Sequence, residues 1–508
     1  MTAISLSPVT RIEGHLAVHA ETKPADNSGN VVVTEARCEG EMFRGIEQIL
    51  VGRDPLDAQQ ITQRICGVCP VAHGIASVHA QEAAYGIVPT LNGRLEQNLI
   101  LAANYLQSHI LHFYHLAALD FVDVTAILNY SGNDSQLQSL KSWVQDALDR
   151  GDVFPAAPFL PRYEADYVSE VDINVELLSH YVQALEMRRT CHEMGAVFGA
   201  RLPHTTALVP GGCTQRPTID RVLAYRSRLK RVMNFVRDTY LPDLLQVAKA
   251  FPQYLNIGAG CGNFLSYGVF PMGNDGERFL RPGALLNGEW APLQVDRIRE
   301  DVAHSRFDQP SNLHPSKGET VPEPAKQEAY SWIKAPRYQG CPMEVGPLAR
   351  VLTNYHDPNS QWVKKEVDGV LNSIDVPAEQ LVSVLGRHLA RGLEALWIGR
   401  QAFRWLDEID VDGAPAQDFS IPASAEGVGL TEAPRGALGH WLAIEDHRIA
   451  RYQCVVPTTW NCSPRDDRNQ AGPVEQALEG TLVSKPLQPI EVGRIVRSFD
   501  PCIACAVH

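Results

Sequence analysis

Apolar and polar residues alternate along two short stretches near the start of the chain, HLAVHAET (15–22) and NVVVTEAR (30–37). A period of two places alternate side chains on opposite faces of a β-strand. The stretches flank the turn-rich KPADNSGN (23–30), so they predict a β-hairpin over about residues 14–37. A similar pattern in GHWLAIEDHRIARYQCVVP (439–457) predicts a second hairpin, which turns at its EDHR.

Longer segments repeat apolar residues every three to four positions, the spacing of one face of an α-helix. The predicted helical segments are Arg94–Val122, Leu177–Gly199, Thr218–Phe251 and Ala378–Ile409. Residues 270–340 are rich in Pro, Gly and Asn and are predicted to form an irregular excursion. Since no break in composition divides the chain, we expect one α-rich α+β domain over residues 1–508, with small β elements.

The composition is that of a globular protein, with 44% hydrophobic and 20% charged residues. A net charge of −14 disfavours a nucleic-acid surface or an anionic membrane patch. The sequence has no apolar run of the roughly 18 residues that a transmembrane helix needs. Its start, MTAISLSPVTRIEGH, lacks the basic residues and apolar run of a signal peptide. We therefore expect a cytoplasmic chain, unless it is exported together with a partner.

The eleven cysteines are too sparse, and odd in number, for a secreted disulfide framework. Seven stand alone and are expected to be small buried hydrophobic residues: Cys38, Cys191, Cys213, Cys261, Cys341, Cys454 and Cys462. The other four form two C-x-x-C pairs near opposite ends of the chain, in RICGVCPVAH (64–73) and DPCIACAVH (500–508). Together the pairs offer four soft sulfur ligands, which suit zinc, iron–sulfur or nickel–iron centres. One shared site would require the two ends to meet.

The surroundings of the two pairs narrow the choice of metal. Their separation excludes a local zinc ribbon, whose pairs lie roughly 15–20 residues apart. A zinc site that joins the two ends stays an alternative, whereas a thioredoxin-like dithiol would need a βαβ pattern that neither pair has. His73 follows the first pair, and Asp500 and His508 flank the second. A structural zinc site does not need such titratable side chains around its ligands, which argues against a purely structural site.

The two cysteine motifs together strongly resemble the large subunit of nickel–iron hydrogenases, and the resemblance covers essentially the whole chain. Further matching stretches, in the family's order, are SPVTRIEGH, MFRGIEQILVGRDPLDAQQITQR, LQSHILHFYHLAALDF, KAPRYQGCPMEVGPLAR, TEAPRGALGHW and VVPTTWNCSPRDD. ANYLQSHILHFYHL and WNCSPRDD look closest to the nickel–iron–selenium branch, which has selenocysteine where this chain has Cys502. The resemblance implies a long-helix bundle with peripheral small β elements, an active site between the N- and C-terminal ends, and the reaction H₂ ⇌ 2H⁺ + 2e⁻.

The resemblance also implies how the cysteines divide between two metals. Cys66 and Cys502 would be terminal ligands of nickel, and Cys69 and Cys505 would bridge nickel to iron. Thiolates suit these positions because they are soft, anionic and able to bridge. In the family the iron also carries two cyanides and one carbon monoxide.

Residues around the cysteines would support this centre. Arg435, which follows Pro434 in the cofactor-binding APRG stretch, would hydrogen-bond one cyanide, and Thr458 would bind the other. Asp500 would hold Arg435 over the metals, and His73 would donate a hydrogen bond to a bridging thiolate.

Two further assignments follow from the resemblance. Glu13 would accept the proton beside Cys502, and burial can raise the pKa of a carboxyl toward that use. His508, Glu47 and the backbone carbonyl of Cys454 would bind a second metal, magnesium or iron, that pins the C-terminus. Family precursors carry an extension that a maturation protease removes after this histidine, so a chain ending at His508 is expected to be mature.

The sequence departs from the family at two positions. Cys454 stands where relatives often have leucine, which still leaves the backbone carbonyl as a ligand. Ser108 stands where many relatives place an acidic residue above the metals, so no oxygen tolerance is inferred. His109, His112 and His115 share one predicted helix and are expected to pack or to support neighbours rather than to bind another metal.

The remaining cysteines indicate which partners the protein needs. No further cysteine cluster could hold an electron-carrying iron–sulfur chain, so the resemblance implies an iron–sulfur small subunit and an external electron carrier. The similar branch is exported through that subunit, which suggests a periplasmic or membrane-associated enzyme, with a cytoplasmic one as the alternative. Two other functions stay open: a structural or electron-conduit subunit related to respiratory complex I, whose relatives lack the metal cysteines, and a zinc-stitched structural protein.

Overall fold

The computed structural model describes residues 2–26, 29–150 and 163–508. The α-helices in this part of the chain are α1 (Ile46–Leu50), α2 (Asp57–Thr62), α3 (Pro70–Tyr85), α4 (Leu91–Leu111), α5 (Ser135–Asp149), α6 (Val171–Gly199), α7 (Ile219–Phe235), α8 (Leu241–Ala250), α9 (Pro347–His356), α10 (Gln361–Ser373), α11 (Val384–Glu408), α12 (Pro457–Asn461), α13 (Pro473–Leu478), α14 (Ile490–Ser498) and α15 (Ile503–Ala506). Helix α4 packs against α6 and α11, and α6 packs against α7. These long helices form the central bundle, which confirms the predicted helix-rich fold.

The predicted helices exist, but caps and changes of helix type set their ends. Helix α4 begins at Leu91 because the Thr90 hydroxyl accepts a hydrogen bond from the Gly93 N–H. It continues as a π-helical segment, His112–Ala117, and a 3₁₀ turn, Ala118–Asp120. The apolar periodicity runs through all three segments, so it predicted one helix.

The other long segments differ from the prediction in the same way. A π-helical segment, Val236–Tyr240, separates α7 from α8 within the predicted 218–251 helix. Residues Ala378–Leu381 form a 3₁₀ turn, and Ser383 then caps α11 through the Gly386 N–H. Helix α6 contains the predicted 177–199 segment and begins earlier, at Val171.

Short strands surround the bundle. They are β1 (Thr2–Leu6), β2 (Leu16–Pro24), β3 (Val31–Gly40), β4 (Leu208–Val209), β5 (Gly212–Cys213), β6 (Phe264–Ser266), β7 (Val269–Pro271), β8 (Arg278–Leu280), β9 (Gly283–Leu286), β10 (Glu289–Ala291), β11 (Ile298–Asp301), β12 (Ala335–Tyr338), β13 (Ser424–Ala433), β14 (Gly436–Glu445), β15 (Arg448–Val455) and β16 (Leu482–Val483). The larger sheets have the orders β1-β2-β3-β16 and β13-β14-β15, with antiparallel neighbours. The predicted excursion at 270–340 contains short strands, two short 3₁₀ helices (Val295–Arg297 and Pro315–Lys317) and irregular connections.

Both predicted hairpins are confirmed. Strands β2 and β3 pair as expected, and residues 27 and 28 of the predicted turn lie outside the described residues. Strands β14 and β15 turn at Asp446 and His447, whose φ angles are 48° and 60°. The alternation did not reveal β13, which pairs with β14 along its full length.

The two ends of the chain meet beside the bundle. Glu13 forms a parallel bridge with Cys502, in which the Glu13 N–H donates to the Pro501 carbonyl and the Ile503 N–H donates to the Glu13 carbonyl at 2.9 Å. Gly14 has a φ of 80°, and a Cβ there would lie 2.8 Å from the Ala504 nitrogen, so this approach requires glycine. Among the residues described, none of the helices is both long and apolar enough to span a bilayer.

Candidate metal centres

Four cysteine sulfurs converge where the two ends of the chain meet. Cys69 precedes the first turn of α3, with Pro70 at the N-terminal position that proline favours, and Cys502 and Cys505 lie at α15. The Sγ atoms of Cys66 and Cys502 are 3.3 Å apart, those of Cys69 and Cys505 3.4 Å, and those of Cys502 and Cys505 2.9 Å. All four side chains are 1–3% exposed. The separations exceed the roughly 2.05 Å of a disulfide, so the four thiols are free to bind metal.

Electrostatics makes this cluster unfavourable without cations. Burial raises the pKa of the Cys502 and Cys505 thiols, while hydrogen bonds from the other three sulfurs lower the pKa of Cys66. One sulfur can therefore be a thiolate while its neighbours stay protonated, but four buried thiolates would repel one another. Metal ions would remove this conflict, because binding deprotonates the thiols and compensates their charge.

Glu13 lies directly beside the cluster. Its Oε2 atom is 3.1 Å from Cys502 Sγ and accepts a hydrogen bond from the Ala504 N–H at 3.0 Å. Burial, and then the charge of Cys66, raise the pKa of Glu13. The arrangement can therefore pass a proton between a sulfur and a carboxylate.

Arg435 and Asp500 form a buried pair on another side of the cluster. The Arg435 Nε donates to the Asp500 carbonyl at 3.0 Å, and Nη2 lies 2.9 Å from Asp500 Oδ1. That contact is close but poorly aligned, and both Nη atoms lack a hydrogen-bond partner. Thr458 accepts a hydrogen bond from the Cys502 N–H at 2.9 Å, which leaves its own hydroxyl proton free. Arg435 and Thr458 can therefore donate hydrogen bonds to a group bound at the cluster.

The sequence did not reveal what supports the APRG stretch. Arg350 donates to the Pro434 carbonyl at 2.9 Å and pairs with Glu394 and Glu432 at 2.6 and 2.7 Å. His109 joins this buried network through Glu394, at 3.0 Å. His109 therefore supports neighbouring side chains, which is one of the two roles expected from the sequence (packing or support).

The two other histidines of the predicted 94–122 helix, and Ser108, are also buried. His112 Nε2 hydrogen-bonds the Arg497 carbonyl at 2.7 Å, and His115 Nε2 hydrogen-bonds the Tyr181 carbonyl at 3.2 Å. Ser108 is buried, and its hydroxyl has no partner among the described residues.

His73 contacts the cluster from α3. Its Nε2 lies 3.4 Å from Cys505 Sγ, and its Nδ1 lies 3.2 Å from His440 Nε2. Burial lowers the pKa of His73 to about 3, so the imidazole is neutral.

A second group of potential ligands lies at the C-terminus, where Glu47, Cys454 and His508 come within 4.8 Å of one another. His508 Nε2 is 3.1 Å from Glu47 Oε1, which also accepts a hydrogen bond from the Cys454 N–H at 2.7 Å. Although burial acts to raise it, the charges of Lys334 and His508 lower the pKa of Glu47 to about 2. The Cys454 thiol lies within reach of the other two ligand atoms, and the predicted role of the Cys454 carbonyl stays a prediction.

Polar residues that the sequence did not indicate surround the second group. Lys334 Nζ lies 3.9 Å from both Glu47 and Glu300, and Thr320 donates to the Glu47 carboxylate. All three residues come from the 270–340 excursion, Glu300 within β11 and Lys334 just before β12, and they have no metal-ligand spacing in the sequence.

The lone cysteines are mostly as expected. Five of them are buried: Cys38, Cys191, Cys213, Cys454 and Cys462. The prediction is wrong for Cys261 and Cys341, which are partly exposed.

Comparison with known proteins places the chain among hydrogenases. The family model for nickel-dependent hydrogenase matches residues 44–508. The chain is 44% identical to the periplasmic [NiFeSe] hydrogenase large subunit of Desulfomicrobium baculatum, over 99% of this chain and 94% of that protein. It is 36% identical to the hydrogenase-1 large chain of Escherichia coli (strain K12), over the same shares. The solved structure of the H2-activated Dm. baculatum [NiFeSe]-hydrogenase superposes with a TM-score of 0.87 at 43% identity, and all of both chains is covered.

Proposed function

The chain belongs to the nickel-dependent hydrogenase family, and on that premise we propose how its residues contribute to the reaction H₂ ⇌ 2H⁺ + 2e⁻. It is the large, catalytic subunit, an oxidoreductase that acts on hydrogen. The observation that carries this function is the convergence of four cysteine sulfurs from opposite ends of the chain.

The four sulfurs fit a nickel–iron centre. They are buried and soft, and they conflict electrostatically unless cations compensate them. Cys66 and Cys502 would hold nickel as terminal ligands, and Cys69 and Cys505 would be shared between nickel and iron. When bound, the centre supplies the two-electron redox chemistry at which H₂ is split.

Arg435 and Thr458 are proposed to bind two cyanides on the iron, which also carries one carbon monoxide. The Nη1 atom of Arg435 is buried without a hydrogen-bond partner, a condition that costs about 1–3 kcal/mol and that an anionic acceptor would relieve. Asp500 fixes the guanidinium, and Pro434 belongs to the same cofactor-binding stretch. His73 donates from Nε2 to Cys505 and so lowers the basicity of a bridging sulfur.

Glu13 is the proposed first proton acceptor. During H₂ oxidation a proton passes from Cys502 Sγ to Glu13 Oε2 over 3.1 Å, and during H₂ formation it returns. The raised pKa brings the carboxyl closer to the pH at which it can both take and release a proton. The Ala504 N–H holds the accepting oxygen in place.

The second group is proposed to bind magnesium or iron. Glu47 and His508 supply a carboxylate and an imidazole, and Cys454 supplies its backbone carbonyl, as the family resemblance implies, or its thiol. A carbonyl oxygen from Cys454 beside the carboxylate favours magnesium, whereas a thiolate favours iron. In either case the metal pins the C-terminus next to the cysteine cluster.

A hydrogenase large subunit needs a partner for its electrons. Beyond the four-cysteine cluster, the described residues hold no second group of cysteines that could bind an iron–sulfur cluster. We therefore propose an iron–sulfur small subunit that passes electrons to an external carrier, and a maturation protease that acts on the precursor. The periplasmic relative supports a periplasmic enzyme, or one that is membrane-associated through that partner, over a cytoplasmic one.

Metal analysis with H₂-dependent dye reduction tests this function. The purified two-subunit enzyme should contain nickel and reduce a viologen dye with H₂, and Cys502→Ser should lose both. Cys191→Ser, a matched change at a buried cysteine of α6, should keep both. Normal H₂ uptake by Cys502→Ser, or zinc in place of nickel in the wild type, would contradict the proposal.

A further inference from the structure

A stripe of polar side chains runs along one face of helix α3. His73, Ser77, Gln81 and Tyr85 follow one another at intervals of four residues, so they share one helix face. The first three are at most 1% exposed. Buried polar groups require hydrogen-bond partners, and here they bond largely to one another and to the neighbouring sheet.

Strands β14 and β15 supply the partners of this stripe. His440 Nε2 lies 3.2 Å from His73 Nδ1, and the Tyr452 hydroxyl lies 2.8 Å from His440 Nδ1. Cys454 is opposite His440 in the strand register, and Tyr452 lies two residues before Cys454, so His440 and Tyr452 share one sheet face.

The contacts continue outward along α3. Gln81 donates from Nε2 to Ser77 Oγ at 3.3 Å, and the partly buried Tyr85 donates its hydroxyl proton to Gln81 Oε1 at 3.3 Å. Tyr85, Gln81 and Ser77 thus form one hydrogen-bonded run along α3, and a separate hydrogen-bonded chain leads from Tyr452 through His440 and His73 to Cys505.

Only one direction of this chain is compatible with a metal-bound thiolate. Each neutral imidazole has one N–H and one bare nitrogen. If Tyr452 accepted from His440, both histidines would reverse, and His73 Nε2 would have no proton for Cys505. An anionic sulfur is an acceptor only, so Tyr452 donates to His440, His440 donates to His73, and His73 donates to Cys505.

We propose that His440 and Tyr452 are positioning residues that fix the tautomer of His73 and aim its Nε2 proton at the Cys505 sulfur. The proposal rests on the assignment of Cys505 as a metal ligand made above. Successive donors polarise one another, so the chain strengthens the last hydrogen bond. That bond withdraws electron density from the sulfur and hence from the metals.

Infrared spectra and redox titrations of the purified enzyme test this proposal. His440→Leu removes the donor to His73, and Tyr452→Phe removes only the phenol oxygen that donates to His440. Both variants should retain nickel and iron, shift the carbon monoxide and cyanide bands to lower wavenumber, and lower the midpoint potential of the nickel signal in electron paramagnetic resonance. The effect of His440→Leu should be the larger.

Two controls separate this role from a merely structural one. His440→Gln keeps an N–H that can donate to His73 and should restore bands and potential toward the wild type. Tyr225→Phe removes the hydroxyl of a tyrosine that is equally buried and hydrogen-bonded to the Leu99 carbonyl at 2.7 Å, and should change neither.

Unchanged bands and potential in Tyr452→Phe with metals retained would overturn the proposal, even if His440→Leu fails to fold. If the wild-type enzyme lacks these infrared bands, the proposed iron ligands are contradicted instead. The midpoint potential of nickel would then still test the role of His440 and Tyr452.

Discussion

Glu13→Gln separates proton movement from electron chemistry at the four-cysteine cluster. The amide is nearly isosteric, and its oxygen can still accept the Ala504 N–H that now bonds the carboxylate at 3.0 Å. It cannot take up a proton at neutral pH. The metals should therefore stay bound, while the 3.1 Å step from Cys502 Sγ is blocked.

The expected size of the effect follows from this geometry. A positioned proton acceptor contributes about 10²–10⁴-fold to a rate, equivalent to about 3–5 kcal/mol of barrier. Glu13→Asp withdraws the carboxylate by one methylene, about 1.5 Å. The aspartate no longer reaches the sulfur directly, so its loss should be intermediate.

Three assays on the same preparation follow the separate steps. H₂-driven dye reduction and exchange of hydrogen isotopes with solvent both need proton exit and should fall by the stated factor. Para/ortho hydrogen conversion needs only reversible splitting at the metals and should survive better. Unchanged solvent exchange in Glu13→Gln would mean that the proton leaves elsewhere, and loss of nickel would mean that Glu13 supports the site structurally.

Other predictions concern the cluster, the fold and the second metal. Arg435→Lys should keep nickel and iron but lower H₂ oxidation at least about 100-fold, since an ammonium cannot replace the fixed guanidinium; wild-type turnover would make Arg435 structural. Burial raises the pKa of Glu96 to about 8, so the folded state binds a proton that the unfolded state releases above about 4.5. Stability should therefore fall as pH rises through this window, and thermal unfolding of Glu96→Gln should show a weaker fall; an unaltered pH profile would refute this. Gly14→Ala should destabilise the protein by about 1–3 kcal/mol through its φ of 80° and a contact of 2.8 Å, whereas Gly52→Ala, with a φ of 81° and open space, should cost less in the same melting assay. His508→Ala should lose the second metal in elemental analysis and expose the C-terminus to carboxypeptidase, and full retention of that metal would contradict its assignment.

Local patterns predicted the parts of this fold that depend on neighbours in sequence. The hairpin of β2 and β3 and the turn at Asp446 follow from alternation and turn residues. The π-helical segment His112–Ala117 does not, because its apolar spacing continues that of α4. A change of helix type depends on packing around the helix, which periodicity does not encode.

The candidate sites show the same division. The cysteine pairs are visible because each pair has metal-ligand spacing on its own. His440 and Tyr452 carry no such spacing, and they reach the site because the β14–β15 hairpin packs against α3 and α1, which are distant in sequence. Lys334 likewise has no ligand spacing and meets Glu47 of α1 only in the folded chain. The approach of the Cys454 side chain to Glu47 and His508 also depends on how β15 packs against α1, which no local pattern shows.

Anomalous X-ray diffraction at the nickel and iron absorption edges tests the central claim most directly. Crystals of the purified two-subunit enzyme should show one nickel peak and one iron peak among the sulfurs of Cys66, Cys69, Cys502 and Cys505. The nickel should lie on the side of Cys66 and Cys502, and the iron between the bridging sulfurs of Cys69 and Cys505 and the guanidinium of Arg435. A single zinc peak at the four sulfurs, or no metal there in an enzyme that oxidises H₂, would contradict the account.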